Sequence, residues 1–299
     1  MDMKLQEILE LAVRDEDVAD IFLVAGLPVT MKRNGVQMRM DSQPLMPRDI
    51  GELVEQIYTE GKRTRARLDA GEDDDFSLSM SRRDNFPGGR FRVNVFRQRG
   101  SLAAVIRVIR FELPDPEKLG ISEDILSLAD ENDRNNRNGG LVLVTGAAGT
   151  GKTTTLACLI DRINRNRDCH IITMEDPIEY IHRHKRAIVT QREISIDTPG
   201  YLNALRSALR ESPDVILLGE MRDYDTISAA LIAAETGVLV FSTLHTNSAA
   251  DTISRIVDVF PEKEQARTQL AQVLKAVVCQ QLVPSTTDDG EGNPVRIPV

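Results

Sequence analysis

A short glycine-rich segment carries the strongest chemical signal in the chain. Residues 146–153 read Gly-Ala-Ala-Gly-Thr-Gly-Lys-Thr, which fits the pattern G-x-x-x-x-G-K-S/T. An apolar run at 141–144 precedes the segment, and a helical pattern from Thr153 to about residue 165 follows it. Backbone N–H groups of such a loop, together with the positive end of the helix, wrap phosphate groups. We therefore expect Lys152 to reach the β- and γ-phosphates of a nucleotide and the Thr153 hydroxyl to ligate Mg²⁺.

Polar side chains follow three further apolar runs. These are 170–174, followed by Glu175, Asp176 and Glu179; 215–218, followed by Glu220; and 238–241, followed by His245. In an open parallel sheet, ligands bind outside the carboxyl ends of the strands. All these groups are therefore expected at the edge that carries the glycine-rich loop. There His245 either hydrogen-bonds a γ-phosphate or is an ordinary packed or surface histidine.

The acid that follows the run 215–218 differs in expected role from the acid that precedes it. Asp214 and Glu220 are six residues apart, and an extended segment of that length spans roughly 20 Å. The two carboxylates therefore cannot share one Mg²⁺. Glu220 is the candidate for the Mg²⁺ water shell or for polarising the attacking water, with a solvated loop acid as the alternative. Asp214 is expected to cap or terminate the preceding turn.

Three carboxylates crowd one short segment near the expected phosphate site. Glu175, Asp176 and Glu179 would repel a bound nucleotide unless Mg²⁺ or arginines offset their charge. The alternative interpretation of this segment is an acidic surface turn. His182 and His184, a few residues further on, lack other ligands at suitable spacing and are expected at the surface.

The N-terminal third of the chain has a different pattern. Helical spacing at 3–14 and 47–59 flanks short apolar runs, and Asn34-Gly35 predicts a tight hairpin turn. These features predict a small antiparallel sheet with flanking helices, whereas the later part alternates strands and helices as βαβ units do. The predicted organisation is an α+β domain at 1–112, a proline-containing linker at 113–119 and an α/β domain at 120–299.

Arginines of the N-terminal domain have two interpretations. Arg90, Arg92 and Asn94 share one face of a predicted strand, and Arg107 lies on the strand that follows. One interpretation is the solvated face of a half-buried sheet. The other is a set of arginines presented to a phosphate across a domain or subunit boundary.

The overall composition narrows the class of protein. The chain has 37 Lys and Arg against 46 Asp and Glu, a formal net charge of −9. This balance leans against a dedicated nucleic-acid binder, although a ring can hide a basic pore. No uncharged apolar stretch reaches about 18 residues, so we expect no membrane span. The three cysteines form no C-x-x-C pair, so neither a disulfide framework nor a structural zinc is expected.

Four stretches together resemble the secretion ATPase superfamily, and in particular the PilT family of type IV pilus retraction ATPases. They are 146–154 (Walker A), 172–182 (Asp box), 214–223 (Walker B) and 242–247 (His box). Near the N-terminus, 75–77 and 90–94 resemble the PAS-like domain of the same family. The resemblance implies a fold of the α/β class: a RecA-like P-loop NTPase domain behind an N-terminal PAS-like α+β domain.

The resemblance also implies a role for each matching residue. Nucleotide-binding positions would be Gly146, Ala147, Ala148, Gly149, Thr150, Gly151, Lys152, Thr153 and Thr154. Glu220 would be the Walker B glutamate and hold Mg²⁺ through water. Glu179 would be the catalytic glutamate of the Asp box, and His245 the γ-phosphate sensor. Arg92 and Arg107 match N-terminal arginines that approach the nucleotide. The ligands that the resemblance implies are ATP and Mg²⁺.

At the level of assembly, the resemblance implies a homo-hexameric ring with nucleotide between the two domains. Such a ring acts in the cytoplasm, at the inner face of the cell membrane, on the inner-membrane platform protein of a pilus machine. A retraction paralogue is a further implied partner, and no direct nucleic-acid partner is expected. Assembly and type II ATPases usually carry an extra N-terminal domain and a four-cysteine zinc module. Neither is recognisable in this sequence, which favours the retraction branch. Because the sequence stops at Val299, before the position of the family's C-terminal helix, we expect a shortened chain.

Other functions stay open at the level of sequence. Within the family, these are a pilus assembly or type II secretion ATPase and a non-hydrolysing accessory retraction paralogue. A nucleic-acid translocase would need a basic pore and salt-dependent binding. A small-molecule kinase would turn over ATP only with an acceptor present.

Overall fold

The computed structural model describes residues 4–15, 17–81, 88–109, 113–130, 139–288 and 294–298. The chain folds into two compact units, Met1–Phe111 and Glu112–Val299. The predicted domain end at residue 112 lies outside the described residues. The segment predicted as a linker is irregular at 113–115 and then enters a turn at 116–120.

The N-terminal unit combines an antiparallel sheet with helices. Its strands are β1 (Val18–Val24), β2 (Thr30–Arg33), β3 (Val36–Arg39), β4 (Asp74–Met80), β5 (Gly89–Gln98) and β6 (Ser101–Ile109). Its helices are α1 (Leu5–Arg14), α2 (Pro47–Glu60) and α3 (Ala66–Asp69). The strands lie in the order β3-β2-β1-β6-β5-β4. The predicted tight turn is confirmed, because Asn34 and Gly35 have φ angles of 47° and 82° and connect a paired Arg33 and Val36.

Alternating side chains decide which face of this sheet is buried. Along β5, Phe91, Val93 and Val95 are buried, and the polar residues between them are half-buried. The buried face packs against α1, which contributes Leu5, Ile8, Leu9 and Ala12 to the same apolar cluster. The α+β pattern predicted for this region is thereby confirmed.

The second unit is built on a parallel sheet. Its strands are β7 (Gly140–Thr145), β8 (His170–Glu175), β9 (Ile188–Glu193), β10 (Val215–Leu218), β11 (Leu239–Leu244) and β12 (Leu274–Cys279), followed by the hairpin β13 (Leu282–Asp288) and β14 (Pro294–Pro298). Its helices are α4 (Glu123–Ser127), α5 (Lys152–Asn166), α6 (Tyr201–Ala208), α7 (Tyr224–Glu235), α8 (Ala249–Asp258) and α9 (Lys263–Val273). Within the described ranges, no helix has the length and apolar content needed to cross a bilayer.

The sheet of the second unit aligns the carboxyl ends of its strands. Its order is β12-β7-β11-β10-β8-β9, and all neighbours run parallel. Leu218, the last residue of β10, pairs with Met174 of β8 and Ser242 of β11. Every residue of β7, β10 and β11 is buried, as is typical of parallel strands covered on both faces. The residues that follow these strands therefore meet at one edge, as the sequence predicts.

Candidate nucleotide-binding site

The glycine-rich loop runs from the end of β7 into the first turn of α5. Gly146, Gly149 and Gly151 have φ angles of 147°, 78° and 86°, which L-residues with a side chain rarely adopt. A Cβ on Gly146 would lie 2.3 Å from the carbonyl oxygen of Gln280. Glycine is therefore required there both by backbone conformation and by the close approach of a second segment.

Lys152, the first residue of α5, lies folded back against this loop. Its Nζ donates hydrogen bonds to the carbonyl oxygens of Gly146 and Ala147 at 2.9 and 2.8 Å. Burial lowers the pKa of Lys152, and the nearby charge of Glu179 opposes that shift. The first-turn N–H groups of α5 have no acceptor within the helix. An ammonium group and a helix N-terminus thus converge at one place, an arrangement that favours phosphate.

A cavity of about 300 Å³ opens beside the loop and brings together the predicted residues of all four strand ends. The predicted residues on its wall are Ala148, Gly149, Lys152, Thr153, Glu175, Asp176, Glu179, Glu220 and His245. Tyr201 and Arg222 also line it, and the sequence does not predict either of them. A cavity of this size is at the small end of the range of ligand sites in proteins.

Glu220 lies close to an arginine and a histidine on the wall of this cavity. Its Oε2 forms an ion pair with Arg222 Nε at 2.7 Å and stands 3.9 Å from His245 Nε2. The Glu220 side chain is 16% exposed, whereas that of Arg222 is 75% exposed. The Thr243 hydroxyl donates to the Gly219 carbonyl at 2.7 Å and so fixes the backbone beside the glutamate. Arg222 thus partly offsets the charge of Glu220.

Asp214 lies at the other end of β10, away from the cavity. Its carboxylate accepts the backbone N–H of His170 at 2.8 Å, and its own N–H donates to the His170 carbonyl at 3.0 Å. Of the two roles expected for Asp214, capping of the preceding turn is therefore wrong. It holds the start of β8 instead, because parallel pairing places that strand next to it.

The acidic residues at the end of β8 and just after it divide into one buried and two exposed carboxylates. Glu175 is 6% exposed, and Asp176 and Glu179 are exposed on the cavity wall. Burial raises the pKa of Glu175 to about 7, aided by the charges of Glu179 and Glu193. Hydrogen bonds from Thr173 Oγ1 and Gln191 Nε2, at 2.7 and 3.2 Å, limit that rise. The alternative of an acidic surface turn does not hold for Glu175.

Glu175 predicts a pH-dependent stability. Because its pKa is about 7 in the folded protein and about 4.3 in an unfolded chain, the folded protein keeps a proton that the unfolded chain loses. The stability from this protonated carboxyl is complete below about pH 4.3 and is lost as the pH rises through 7. The neutral variant Glu175→Gln should therefore be more stable than wild type at pH 8, by about 4 kcal/mol.

Urea unfolding near pH 5 and pH 8 measures this effect. The gain from Glu175→Gln should shrink toward the lower pH, where the wild-type carboxyl is protonated in the folded protein. The matched control is Glu235→Gln, which changes an exposed glutamate at the end of α7 and should show no gain at either pH. Equal stability of wild type and Glu175→Gln at pH 8 would show that the buried carboxyl carries no such penalty.

Gln191 organises the loop that carries the acidic residues. Its Nε2 donates to Glu175 and to the Tyr180 carbonyl, and its Oε1 accepts the backbone N–H of His182 at 2.8 Å. His182 is 7% exposed, and burial lowers its pKa to about 4, so the expectation of a surface residue is wrong. His184 is exposed as expected. Tyr180 also reaches the helix behind the loop, with its hydroxyl 3.0 Å from Thr154 Oγ1.

The predicted arginines of the N-terminal unit lie opposite each other. Arg92 on β5 and Arg107 on β6 are direct cross-strand partners, so they share one face of the sheet. Arg92 forms a two-pronged ion pair with Asp75, with nitrogen–oxygen distances of 3.0 and 2.6 Å. Arg107 Nε donates to Asp20 at 2.9 Å. Two neighbouring arginines, each in an ion pair with an aspartate, thus lie on one face of this domain's sheet.

Together, the parallel sheet, the glycine-rich loop and the acid that follows a strand of the same sheet define a P-loop nucleotide-binding protein. Residues 49–294 match the family described as type II/IV secretion system protein, and the chain belongs to that family. The predicted fold class and the family resemblance are both confirmed.

Individual relatives make the similarity more specific. The chain is 43% identical over 284 residues to the type IV pilus retraction ATPase PilT of Pseudomonas aeruginosa. The aligned residues cover 94% of this chain and 78% of that protein. It is 40% identical over 299 residues to the type IV pilus ATPase PilU of the same organism, covering 99% and 74%. The crystal structure of the pilus retraction motor PilT with bound ADP matches with a TM-score of 0.87 at 43% identity, covering 99% of this chain and 82% of that one.

Proposed function

We propose that this chain is an ATP-hydrolysing motor that powers the retraction of type IV pili. The similarity to a retraction ATPase extends over 94% of the chain, and a retraction motor of the same fold binds ADP. The observation that carries the hydrolytic activity is the meeting of Lys152, Glu179, Glu220 and His245 around one cavity. A loop that holds phosphate lies there beside groups that can orient and polarise water.

Each group has a distinct role in this proposal. Lys152 and the N–H groups at the start of α5 bind the phosphates and stabilise the charge that develops on them. Glu220 orients the attacking water for in-line displacement at the γ-phosphate, and Glu179 is the second catalytic carboxylate. His245, whose Nε2 is 3.9 Å from Glu220, senses whether a γ-phosphate is present. Thr154 supports the loop through its contact with Tyr180.

The donor atoms on the cavity wall fit Mg²⁺. This ion prefers oxygen ligands and is commonly held by one or two protein groups together with phosphate oxygens. The Thr153 hydroxyl and the Glu220 carboxylate both line the cavity and would hold the ion, the first directly and the second through water. Mg²⁺ bound there would neutralise part of the negative charge of the phosphates, which would otherwise be repelled by the three carboxylates.

The motor would work as a homo-hexamer. Arg92 and Arg107, which share one face of the N-terminal sheet, would then supply positive charge to the nucleotide. A change in nucleotide state would deform the ring. The ring would act in the cytoplasm on the inner-membrane platform protein of the pilus machine, with a retraction paralogue as a further partner.

A second candidate within the family is an accessory retraction ATPase. The chain is also 40% identical, over 99% of its length, to a second type IV pilus ATPase of the same organism, PilU, so more than one such ATPase can be present in one cell. The groups expected for hydrolysis are all present on the cavity wall, which favours an active motor over a non-hydrolysing paralogue.

Counting surface pili tests the proposed direction of the motor. In the native host, Lys152→Ala in the chromosomal gene should increase the number of pili and abolish twitching, because assembly continues without retraction. Loss of all pili would instead assign the chain to assembly. An unchanged count with unchanged twitching would favour the accessory role and contradict the proposal.

A further inference from the structure

Gln280, directly after β12, is tied to the glycine-rich loop from behind. Its backbone N–H donates to the Thr145 carbonyl at 2.8 Å, which extends the pairing of β12 with β7 to the first residue before the loop. Its side-chain Nε2 donates to the Thr150 carbonyl at 2.7 Å. Its Oε1 accepts the hydroxyl of Thr155 on α5 at 2.9 Å. One residue thus contacts the strand, the loop and the helix of the phosphate site.

The fit between Gln280 and the loop leaves no spare room. Gln280 is 4% exposed. A Cβ on Gly146 would meet its carbonyl oxygen at 2.3 Å, and a Cβ on Gly151 would meet its Nε2 at 3.0 Å. Two of the three glycines with positive φ in the loop are therefore the ones that Gln280 contacts.

We infer that Gln280 is a positioning residue that fixes the glycine-rich loop in its phosphate-binding shape; this rests on the proposed function as an ATPase. In a trans peptide the carbonyl and the N–H point in opposite directions. By holding the Thr150 carbonyl, Gln280 turns the N–H of Gly151 away from itself. Gln280 is not among the described residues on the cavity wall, so it acts through the loop and does not touch nucleotide.

The inference explains why an amide is needed at this position. The side chain donates to a carbonyl and accepts from a hydroxyl at the same time, both away from water. A carboxylate keeps the acceptor for Thr155 but loses the donor for Thr150 and adds a buried charge. An apolar side chain leaves both loop groups without a partner.

The test compares Gln280→Ala with Gln281→Ala, a matched substitution of the exposed glutamine that follows it. ADP affinity by calorimetry and the steady-state constants for ATP are measured on the full chain. Gln280→Ala should weaken ADP binding and raise KM about tenfold, with a smaller change in kcat, because the loop contacts phosphate in ground and transition states alike. Gln281→Ala should leave all three constants at wild-type values.

Two further variants keep the test decisive if Gln280→Ala does not fold. Thr155→Val replaces the hydroxyl that donates a hydrogen bond to Gln280 Oε1 with a methyl group. It should weaken ADP binding about threefold. Gln280→Glu should lose as much ADP affinity as Gln280→Ala. Folded variants that bind ADP as tightly as wild type would overturn the positioning role alone. A wild-type chain that binds no ADP would overturn the proposed function, and this inference with it.

Discussion

Replacing Lys152 by alanine should abolish ATP turnover by the isolated protein. The ammonium group is buried at the start of α5, where it donates to the Gly146 and Ala147 carbonyl oxygens. Bound phosphates would take those hydrogen bonds at the point where negative charge develops during transfer. Loss of one such donor in an enzyme lowers kcat by about 100- to 1,000-fold. A phosphate-release assay on the purified chain should therefore fall at least that far.

The control for this substitution is Lys118→Ala, which removes an exposed lysine from the turn at 116–120 of the same unit. It should turn over ATP at the wild-type rate. Thermal unfolding of both variants shows whether each has kept its fold. A folded Lys152→Ala protein that retains more than about a tenth of the wild-type rate would contradict the phosphate-binding role of this lysine.

The strand ends of the site are predictable from sequence because their signals are local. Each candidate acid or histidine lies within five residues after the end of an apolar run, and parallel strands bring their carboxyl ends to one edge. The cavity accordingly contains Glu175, Glu179, Glu220 and His245. The glycines of the loop are equally predictable, since their spacing reflects backbone conformations that a side chain would strain.

Contacts between distant segments are not predictable in this way. Gln280 lies 130 residues after the Thr150 whose carbonyl it holds, and nothing in its own neighbourhood marks it. His182 is misjudged for the same reason, because Gln191 and the packed loop bury it. Arg222 is the exception, since it stands only two residues after Glu220 and could have been recognised as an ion-pair partner of that glutamate.

Glu220→Gln should keep nucleotide binding and lose hydrolysis. The amide has nearly the same size as the carboxylate, but it cannot polarise a water molecule as an anion does. The structure holds Glu220 in place through Arg222 Nε at 2.7 Å and through the fixed backbone at Gly219. We expect kcat to fall by about 100- to 10,000-fold, with a dissociation constant for ATP within about threefold of wild type. A phosphate-release assay measures kcat, and calorimetry measures the dissociation constant for ATP separately.

The matched control is Asp214→Asn, the same acid-to-amide change at the other end of β10. Asp214 accepts the His170 N–H, and an asparagine oxygen can still accept it, so this variant should hydrolyse ATP at the wild-type rate. Equal losses in both variants would indicate damage to the strand and not to the chemistry. If Glu220→Gln hydrolyses ATP at the wild-type rate, the water is oriented by another group. Glu179, exposed on the same cavity wall, is then the carboxylate to which the identical substitution should be applied.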